Sequence, residues 1–324
     1  MTEGPSRESL PARPRLIFMG TPEFALPTLN ALIHHGHNVL AVVTQPDRPK
    51  GRGKKLAPSP VKELALKHGI EVLQPEKASD AHFCDQVRGK GPDLIIVVAF
   101  GQILRKQLLG IPKWGVINIH GSLLPAYRGA APIQGAVMNN EPKTGLTVMR
   151  MDEGLDTGPI LFQEEVRLSP DETAGQLHDR LAYIAGDLMV KSLKHMAENP
   201  IEERPQDHAR ATYAPKIEKD MSLIDWRQSA SKVSALIRAL DPRPGAFTTF
   251  QGQEIKLFAS RVMNETLHDV VPGRVVGYAE ECLVIETGQG VVGIREMQYP
   301  GKKRLSADDF LRGFSLPDGT ELGR

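Results

Sequence analysis

Asn118 and His120 are spaced to act together on one small electrophile. They lie in an apolar stretch, residues 116–120, that predicts a buried strand. Residues two apart on a strand point to the same face, with Cα atoms about 6.6 Å apart at the usual rise. Gly121 follows and lets the chain turn away without a side chain. The spacing therefore brings an amide donor and an imidazole to one substrate.

Asp156 is a third polar residue, which could orient and charge the imidazole. It stands between Gly154 and Gly158, where a backbone can approach a ligand closely. When an amine attacks a formyl carbon, negative charge develops on the formyl oxygen. Asn118 and protonated His120 could donate hydrogen bonds to that oxygen, each worth ~3–4 kcal/mol, and Asp156 could help move the amine proton. The pattern indicates acyl or formyl transfer to an amine without a serine or cysteine nucleophile.

The elements that must position these residues alternate between strand and helix over the first two hundred residues. Apolar runs predict strands over 15–19, 39–44, 72–73, 94–99, 116–120, 146–151 and 160–166, the last antiparallel at the sheet edge. Helical patterns occupy 21–35, 60–69, 81–87 and 173–196. This order predicts an α/β fold with a doubly wound, mostly parallel sheet. Ligands bind beyond the carboxyl ends of such strands, where Asn118 and His120 lie.

The composition changes near Asn199. We predict a disordered extension over 1–14, a catalytic domain over 15–198, a linker over 199–215 and a second domain over 216–324. The second domain has one helical pattern, 230–240, and short strand patterns over 246–250, 255–259, 274–276, 282–285 and 291–294. Five short strands separated by turns favour a small β-barrel of the OB type.

A basic loop lies between Thr44 and Lys62, in a chain whose net charge is only +1. Its prolines and glycines argue against regular structure. A solvated basic turn is the simplest interpretation, and a loop that contacts phosphates beside the active site is the more specific one. The loop carries six basic side chains against Asp47, a local charge of +5: Arg48, Lys50, Arg52, Lys54, Lys55 and Lys62.

From about residue 15 to its C-terminus, the chain resembles the methionyl-tRNA formyltransferase family. The matching segments are FMGTPEF (18–24), TQPDRP (44–49), GRGKKL (51–56), SPVK (59–62), NIHGSLLP (118–125), RGAAPIQ (128–134) and MDEGLDTG (151–158). The resemblance implies a Rossmann-like formyltransferase domain followed by a tRNA-binding domain. It implies transfer of formyl from 10-formyltetrahydrofolate to the amino group of methionine on initiator methionyl-tRNA.

The resemblance also implies roles for individual residues. Asn118, His120 and Asp156 match the family's catalytic trio, and the arginine that matches Arg52 contacts the acceptor stem in that family. The folate contacts match Ser122, Leu123, Leu124 and Pro125. We expect tRNA contacts from Arg48, Lys50, Arg52, Lys54 and Lys55. Because small β-barrels often bind nucleic acids, we also expect contacts with the tRNA backbone at the basic triplet of residues 302–304.

Other features exclude several classes of protein. The two cysteines lie far apart, so no disulfide framework or thiol metal site is expected. No window reaches the ~18 apolar residues of a membrane span. Three histidines, His34, His35 and His37, close a helix and indicate no metal site, and Gly20 lacks the spacing of a dinucleotide fingerprint. We expect a cytoplasmic monomer without a metal.

Two other functions stay open from the residues alone. A formyltransferase that acts on a small amine, such as an amino sugar or glycinamide nucleotide, would use the same trio without needing the basic loop. A tRNA-binding or RNA-binding module with an inactive catalytic domain would keep the loop and lose the reaction. Dependence of the activity on salt with tRNA, and turnover of the folate, distinguish these functions.

Overall fold

The computed structural model describes residues 9–50, 55–264 and 270–323. Its strands are β1 (Arg15–Gly20), β2 (Asn38–Val43), β3 (Arg48–Lys50), β4 (Lys55–Ala57), β5 (Val72–Leu73), β6 (Leu94–Val98), β7 (Val116–His120), β8 (Lys143–Arg150), β9 (Ile160–Arg167), β10 (Ala246–Phe250), β11 (Gln253–Asn264), β12 (Val275–Ala279), β13 (Cys282–Glu286), β14 (Val291–Gln298) and β15 (Arg304–Ser306). Its helices are α1 (Leu26–His34), α2 (Pro60–Lys67), α3 (Ala81–Lys90), α4 (Lys106–Leu109), α5 (Pro132–Met138), α6 (Ala174–Glu198), α7 (Ala230–Ala239) and α8 (Ala307–Gly313).

The chain forms two compact units that do not follow the predicted boundaries. The first comprises residues up to Gly129, Gly145–Glu165 and Asp179–Tyr213. The second comprises Ala130–Thr144, Val166–His178 and the chain from Ala214 onward. Two segments from within the predicted catalytic domain therefore belong to the second unit. Among the described residues, no helix is long and apolar enough to cross a membrane.

The predicted α/β fold is confirmed in the first unit by a seven-stranded sheet in the order β5-β2-β1-β6-β7-β8-β9. β1 pairs in parallel with β2 and β6, β6 pairs in parallel with β7, and β8 runs antiparallel to β7. All five residues of β6 are buried, as expected for a parallel strand covered on both faces. β1, β6 and β7 are neighbours, so the residues after them meet at one edge of the sheet.

Local signals fix the helix ends on this sheet. Ser59 Oγ accepts the Lys62 amide at 3.1 Å and Pro60 takes the first helical position of α2, which confirms the predicted cap.

Helix α6 passes close to α1 at Gly186, where a Cβ would lie 2.9 Å from the Pro27 carbonyl oxygen. Only a glycine allows this approach.

The basic loop is more regular than its prolines suggest. β3 and β4 pair antiparallel, with Pro49 opposite Leu56, and we call them the basic hairpin. The prediction of an irregular loop was wrong here, because an isolated two-stranded ribbon has outer edges on which proline needs no ladder donor. Arg52 and Lys54, which the sequence assigns to tRNA, lie outside the described residues.

Residue Leu10 corrects the predicted disordered extension in part. Its side chain is buried, and its amide donates to the Met196 carbonyl at 2.7 Å. Burial of a leucine, together with a satisfied backbone donor, joins residues 9–14 to the folded unit. Residues 1–8 lie outside the described part of the chain.

The predicted linker also differs from the structure. Residues 203–213, here called the strap, belong to the first unit and pair with it through the backbone. Arg204 exchanges two hydrogen bonds with Ile160, at 2.8 and 2.9 Å, and the Arg128 amide donates to the Thr212 carbonyl at 2.8 Å. The segment lacks an apolar period because polar contacts, rather than a buried face, hold it in place.

The second unit has the five predicted strands in an antiparallel sheet, in the order β10-β11-β14-β13-β12, and a sixth strand, β15, pairs with β14. Its core is apolar and includes Trp226, Ile237, Leu257, Ile285 and Ile294. Among the described residues, no pairing joins the two end strands β10 and β12. Closure into a barrel therefore stays a prediction.

A half-buried ion pair between Glu286 and Arg274 predicts that the second unit loses stability in acid. Both carboxylate oxygens of Glu286 accept from Arg274, at 2.6 and 3.1 Å, and one also accepts the Val271 amide at 3.1 Å. The Arg274 guanidinium and, secondarily, the Val271 amide hold the pKa of Glu286 below its ordinary value of 4.5. A depressed folded-state pKa stabilises the fold above that ordinary value, and the contribution is lost as the pH falls below it.

We expect Glu286→Gln to lower the free energy of unfolding near neutral pH by about 1–2 kcal/mol, since Arg274 is partly screened by solvent. Urea denaturation at several pH values measures this difference, which should shrink in acid as the wild-type carboxylate takes up its proton. Glu254→Gln is the matched control, because its pair with Lys219 is exposed. Equal losses in the two variants would contradict the prediction.

Candidate active site

The carboxyl end of β7 carries the two predicted strand residues. Asn118 is paired with Val97 on one side and Met149 on the other, and His120 is paired with Thr147. Both side chains therefore project from the same face of the sheet. Asn118 is half-buried and His120 is only 6% exposed. A buried imidazole needs a partner for each nitrogen that carries a proton.

The contacts of the His120 ring define which nitrogen can exchange a proton. Nε2 lies 2.9 Å from the Tyr127 carbonyl oxygen, which can only accept, so Nε2 keeps its hydrogen. Nδ1 lies 3.7 Å from Oδ2 of Asp156. That distance exceeds a hydrogen bond, and such contacts often tighten only when substrate is bound. The structure thus brings His120 and Asp156 together, with Nδ1 facing the carboxylate.

Asp156 is held in an unusual backbone conformation. Its φ is +53°, a left-handed value that non-glycine residues adopt at an energetic cost. Its Oδ2 accepts the Gly129 amide at 2.9 Å. Nearby, a Cβ on Gly158 would lie 1.9 Å from the Arg150 carbonyl oxygen, so this loop passes against the end of β8 without a side chain. The loop geometry therefore aims the carboxylate at His120.

The predicted folate loop, Ser122 to Pro125, shows two kinds of side chain. Ser122 and Leu124 are buried, and Ser122 Oγ donates to the Ala126 carbonyl at 2.6 Å. Leu123 and Pro125 are half-buried. A ligand at this loop can therefore meet the backbone and the latter two side chains, while the Ser122 hydroxyl serves the loop itself.

Two residues that the sequence did not single out hold this loop. Thr147 Oγ1 donates to the Ser122 carbonyl at 2.7 Å and accepts the Leu124 amide at 3.0 Å. Gln163 Nε2 donates to the Leu124 carbonyl at 3.0 Å and to Thr147 Oγ1 at 3.1 Å. Thr147 faces the loop because it stands opposite His120 in the β7–β8 register. The sequence carries no signal for this pairing.

The basic hairpin presents charge at the same sheet edge. Arg48 is exposed and donates to the neutral Gln45 side chain at 2.6 Å. Lys50 and Lys55 stand opposite each other in the backbone register. Because Gln45 is neutral, this contact does not compensate the positive charge of Arg48.

Lys62, by contrast, does not add to this charge. Its Nζ lies 2.8 Å from Asp47 Oδ2 and donates to Gln74 Oε1 at 2.7 Å. The Lys62 ammonium and then the Gln74 amide hold the pKa of Asp47 below its ordinary value. This pair fixes the base of the hairpin, so the Lys62 ammonium is engaged within the protein.

A cavity of about 430 Å³ lies beside the hairpin, within the usual range for small-ligand sites. Its walls follow the carboxyl ends of β1, β2 and β6, and β7 with His120 is the next strand of the sheet. Apolar and polar groups line it, among them Thr21, Gln45, Arg48, Pro49 and Phe100. Ligands of parallel sheets bind at this edge.

The basic triplet of the second unit has one engaged member. Arg304 binds both carboxylate oxygens of Asp241, at 2.6 and 3.1 Å, and also pairs with Glu296. Lys302 and Lys303 are exposed. Any contact with an anion at this turn therefore falls to the two lysines. Over the described part of the chain, no group of three potential metal ligands is present.

Two family models together match most of the chain. The Formyl transferase family model matches residues 14–193, and the model for the formyl transferase C-terminal domain matches residues 216–315. The methionyl-tRNA formyltransferase of Alkaliphilus oremlandii is 46% identical over 309 residues, which cover 95% of this chain and 99% of the relative. That of Geobacter metallireducens is 48% identical over 308 residues, covering 95% of this chain and 98% of the relative.

Among solved structures, HypX from Aquifex aeolicus in complex with tetrahydrofolic acid superposes with a TM-score of 0.64. The identity is 19%, so this likeness concerns the fold. The match covers 93% of this chain, which spans about half the length of HypX, 47%.

Proposed function

This chain belongs to the methionyl-tRNA formyltransferase family, and from that premise we propose that it moves a formyl group from 10-formyltetrahydrofolate to the amino group of methionine on initiator methionyl-tRNA. Relatives that share 46–48% of their residues with almost the whole chain carry that name. The single observation that carries the chemistry is the 3.7 Å approach of His120 Nδ1 to Asp156 Oδ2.

The reaction joins the methionine nitrogen to the formyl carbon and breaks the bond from that carbon to the folate nitrogen. The methionine amine loses a proton as it attacks. Oδ2 of Asp156 and Nδ1 of His120 can hold this proton between them, because Nε2 is tied to the Tyr127 carbonyl, and can pass it to the folate nitrogen as that nitrogen leaves. No covalent bond to the protein is needed, so no nucleophilic side chain is required.

Asn118 supports the same step from β7. Its amide can donate to the formyl oxygen as negative charge develops there, and it shares a face with His120. Because the strand is paired on both sides, the donor is held in place before the substrate arrives. We assign Asn118, His120 and Asp156 the catalytic roles.

We infer that the folate co-substrate contacts the Ser122–Pro125 loop. The half-buried Leu123 and Pro125 offer apolar contact, and the loop backbone is fixed by Thr147 and Gln163. A planar heterocycle can pack against these two side chains without displacing the hydrogen bonds of the loop. The co-substrate, when bound, supplies a formyl group that is ready for transfer.

The basic hairpin and its adjoining cavity suit the end of the tRNA. Exposed arginine and lysine side chains neutralise phosphates, and the cavity lies beside the strand that neighbours β7. We propose that the acceptor end enters there, with Arg48, Lys50, Arg52, Lys54 and Lys55 on its backbone. Lys302 and Lys303 offer a second contact with tRNA in the C-terminal unit.

The test of this function is direct. The purified protein is incubated with initiator methionyl-tRNA and 10-formyltetrahydrofolate, and the ester is then hydrolysed to look for N-formylmethionine. A parallel reaction offers nucleotide-linked amino sugars and glycinamide nucleotide as acceptors. Formylation of a small amine without formylation of methionyl-tRNA would overturn the proposal.

The hairpin gives a quantitative prediction. Arg48→Ala combined with Arg52→Ala should raise KM for methionyl-tRNA about 10-fold and leave KM for the folate unchanged, because phosphate contacts act on tRNA alone. The slope of log(kcat/KM) against log[salt] should become shallower by roughly 1 for each lost phosphate contact. Lys67→Ala, an exposed lysine at the end of α2, is the control. Equal effects on both substrates would assign the hairpin a structural role.

A further inference from the structure

The strap reaches the catalytic loops from two sides. At one end, Thr212 accepts two backbone amides. Its carbonyl accepts the Arg128 amide, and its Oγ1 accepts the Tyr127 amide at 2.8 Å. At its other end the strap pairs with Ile160, directly after the loop that carries Asp156. Gln206 lies between these two anchors and is only 6% exposed.

The side chain of Gln206 makes hydrogen bonds in both directions. Its Nε2 donates to the Asp156 carbonyl at 2.9 Å and to the Gly158 carbonyl at 2.7 Å. Its Oε1 accepts from Arg128 Nε and Nη2, at 3.1 and 2.6 Å. Arginine only donates and carbonyls only accept, so the amide can have only this orientation.

Arg128 needs this contact because its guanidinium is buried. The residue is 2% exposed, and its other partner is Nδ1 of His208, 3.2 Å from both Nη1 and Nη2. The Gln206 amide oxygen is a neutral acceptor for this buried cation. Loss of an acceptor would leave N–H groups of a buried cation without a hydrogen bond, which is energetically costly. The guanidinium therefore holds the Gln206 side chain in place.

Asp156 is fixed through its backbone as well as its carboxylate. Its left-handed φ of +53° is a conformation that relaxes unless its surroundings hold it. The Gly129 amide holds Oδ2, and Gln206 holds the main-chain carbonyl of the same residue. Arg128 precedes Gly129 in the chain, so Gln206 connects both supports of the carboxylate.

We propose that Gln206 is a positioning residue that sets the Asp156 carboxylate against His120 by linking Arg128 to the Asp156–Gly158 backbone. This role rests on the proposed formyl transfer and adds a residue from outside the catalytic loops. Gln206 touches neither the imidazole nor the reacting atoms in this scheme. It acts through Asp156 alone.

Two substitutions separate positioning from stability. Gln206→Ala removes all four hydrogen bonds, whereas Gln206→Glu keeps an acceptor for Arg128 and loses both donors to the carbonyls. We expect each to lower kcat roughly 10- to 100-fold, with KM for tRNA and folate within about threefold, as displacement of a catalytic group predicts. Gln206→Glu should keep the wild-type Tm, because it gives the buried Arg128 an anionic partner.

A double-mutant cycle on kcat, measured in single-turnover formylation of methionyl-tRNA, tests the route through Asp156. In an Asp156→Asn background, Gln206→Ala should cost less than about threefold, since coupled residues are not additive. The same factor in both backgrounds, or a Gln206→Glu variant with full kcat, would overturn the proposal. An inactive wild-type protein would instead overturn the formyl transfer itself.

Gln176→Ala is the matched control. Gln176 Oε1 accepts the Thr173 amide at 3.0 Å, and the Thr173 hydroxyl accepts the Gln176 amide at 3.2 Å, a capping box at the start of α6. Its loss should lower Tm and leave kcat within about twofold. A comparable loss of kcat in this variant would mean that destabilisation explains the effect of Gln206.

Discussion

Replacing Asp156 by asparagine should lower kcat for methionyl-tRNA about 10³-fold, within the range of general acid–base catalysis. Asparagine tolerates the left-handed backbone at this position and still accepts the Gly129 amide, so the loop keeps its geometry. What disappears is the carboxylate 3.7 Å from His120 Nδ1, where we propose that the amine proton is held. KM for both substrates should stay within about threefold, because binding does not use this carboxylate.

The measurement is a rapid-quench single turnover with labelled methionyl-tRNA and saturating folate. Asp80→Asn provides the control, since Asp80 caps α3 by accepting the Phe83 amide at 3.1 Å, and asparagine caps equally well. Full activity in Asp156→Asn would remove Asp156 from the mechanism. A loss of activity matched by Asp80→Asn would point to the general effect of removing a carboxylate.

Replacing Asn118 by alanine should lower kcat by about 10²–10³-fold, the loss found when one donor to a developing oxyanion is removed. The strand should survive, because its backbone pairs with β6 and β8 are independent of the side chain. The affinity for folate should change little, since the hydrogen bond strengthens only as charge develops on the formyl oxygen.

Steady-state kinetics with each substrate varied in turn, together with a thermal denaturation curve, check this prediction. Asn199→Ala is the matched control, because the side-chain amide of Asn199 donates to the His195 carbonyl at 3.1 Å at an exposed helix end. If Asn118→Ala changed KM for folate and spared kcat, the side chain would bind the co-substrate and leave the oxygen to other donors.

The elements that could be predicted are those determined by residues close together in the sequence. β7 has the bounds that the sequence predicted, because an apolar run ending in polar residues and glycine marks both ends of a strand. α2 begins at the predicted Ser-Pro cap, since the cap uses neighbours in sequence. The doubly wound sheet follows from the alternation of such elements.

The strap and the basic hairpin were not predictable on the same grounds. Gln206 contacts Arg128, 78 residues earlier, and Asp156, 50 residues earlier, and no period in the sequence records such contacts. Pro49 lacks an N–H donor and therefore argues against a strand, yet it is accommodated at the edge of a two-stranded ribbon. Sequence patterns detect segments that bury apolar side chains. These two segments are held by polar contacts and by backbone pairing instead, so the patterns do not detect them.

The candidate site was predictable in its residues and not in its geometry. The chemistry of Asn118, His120 and Asp156, together with the family resemblance, suggested the trio. The link from His120 Nε2 to the Tyr127 carbonyl, which leaves Nδ1 as the exchanging nitrogen, depends on a turn that returns the chain to the strand. The supports at Thr147 and Gln163 depend on the strand register.

The position of the strap in the chain has a consequence for biosynthesis. During translation the sheet, the trio and the folate loop have all been synthesised before Gln206 is added. A nascent or truncated polypeptide that ends after α6 contains every proposed catalytic side chain, yet leaves the Arg128 guanidinium and the Asp156 carbonyl without this partner. We therefore expect a fragment that ends after α6 to lack the support that we propose for the Asp156 carboxylate.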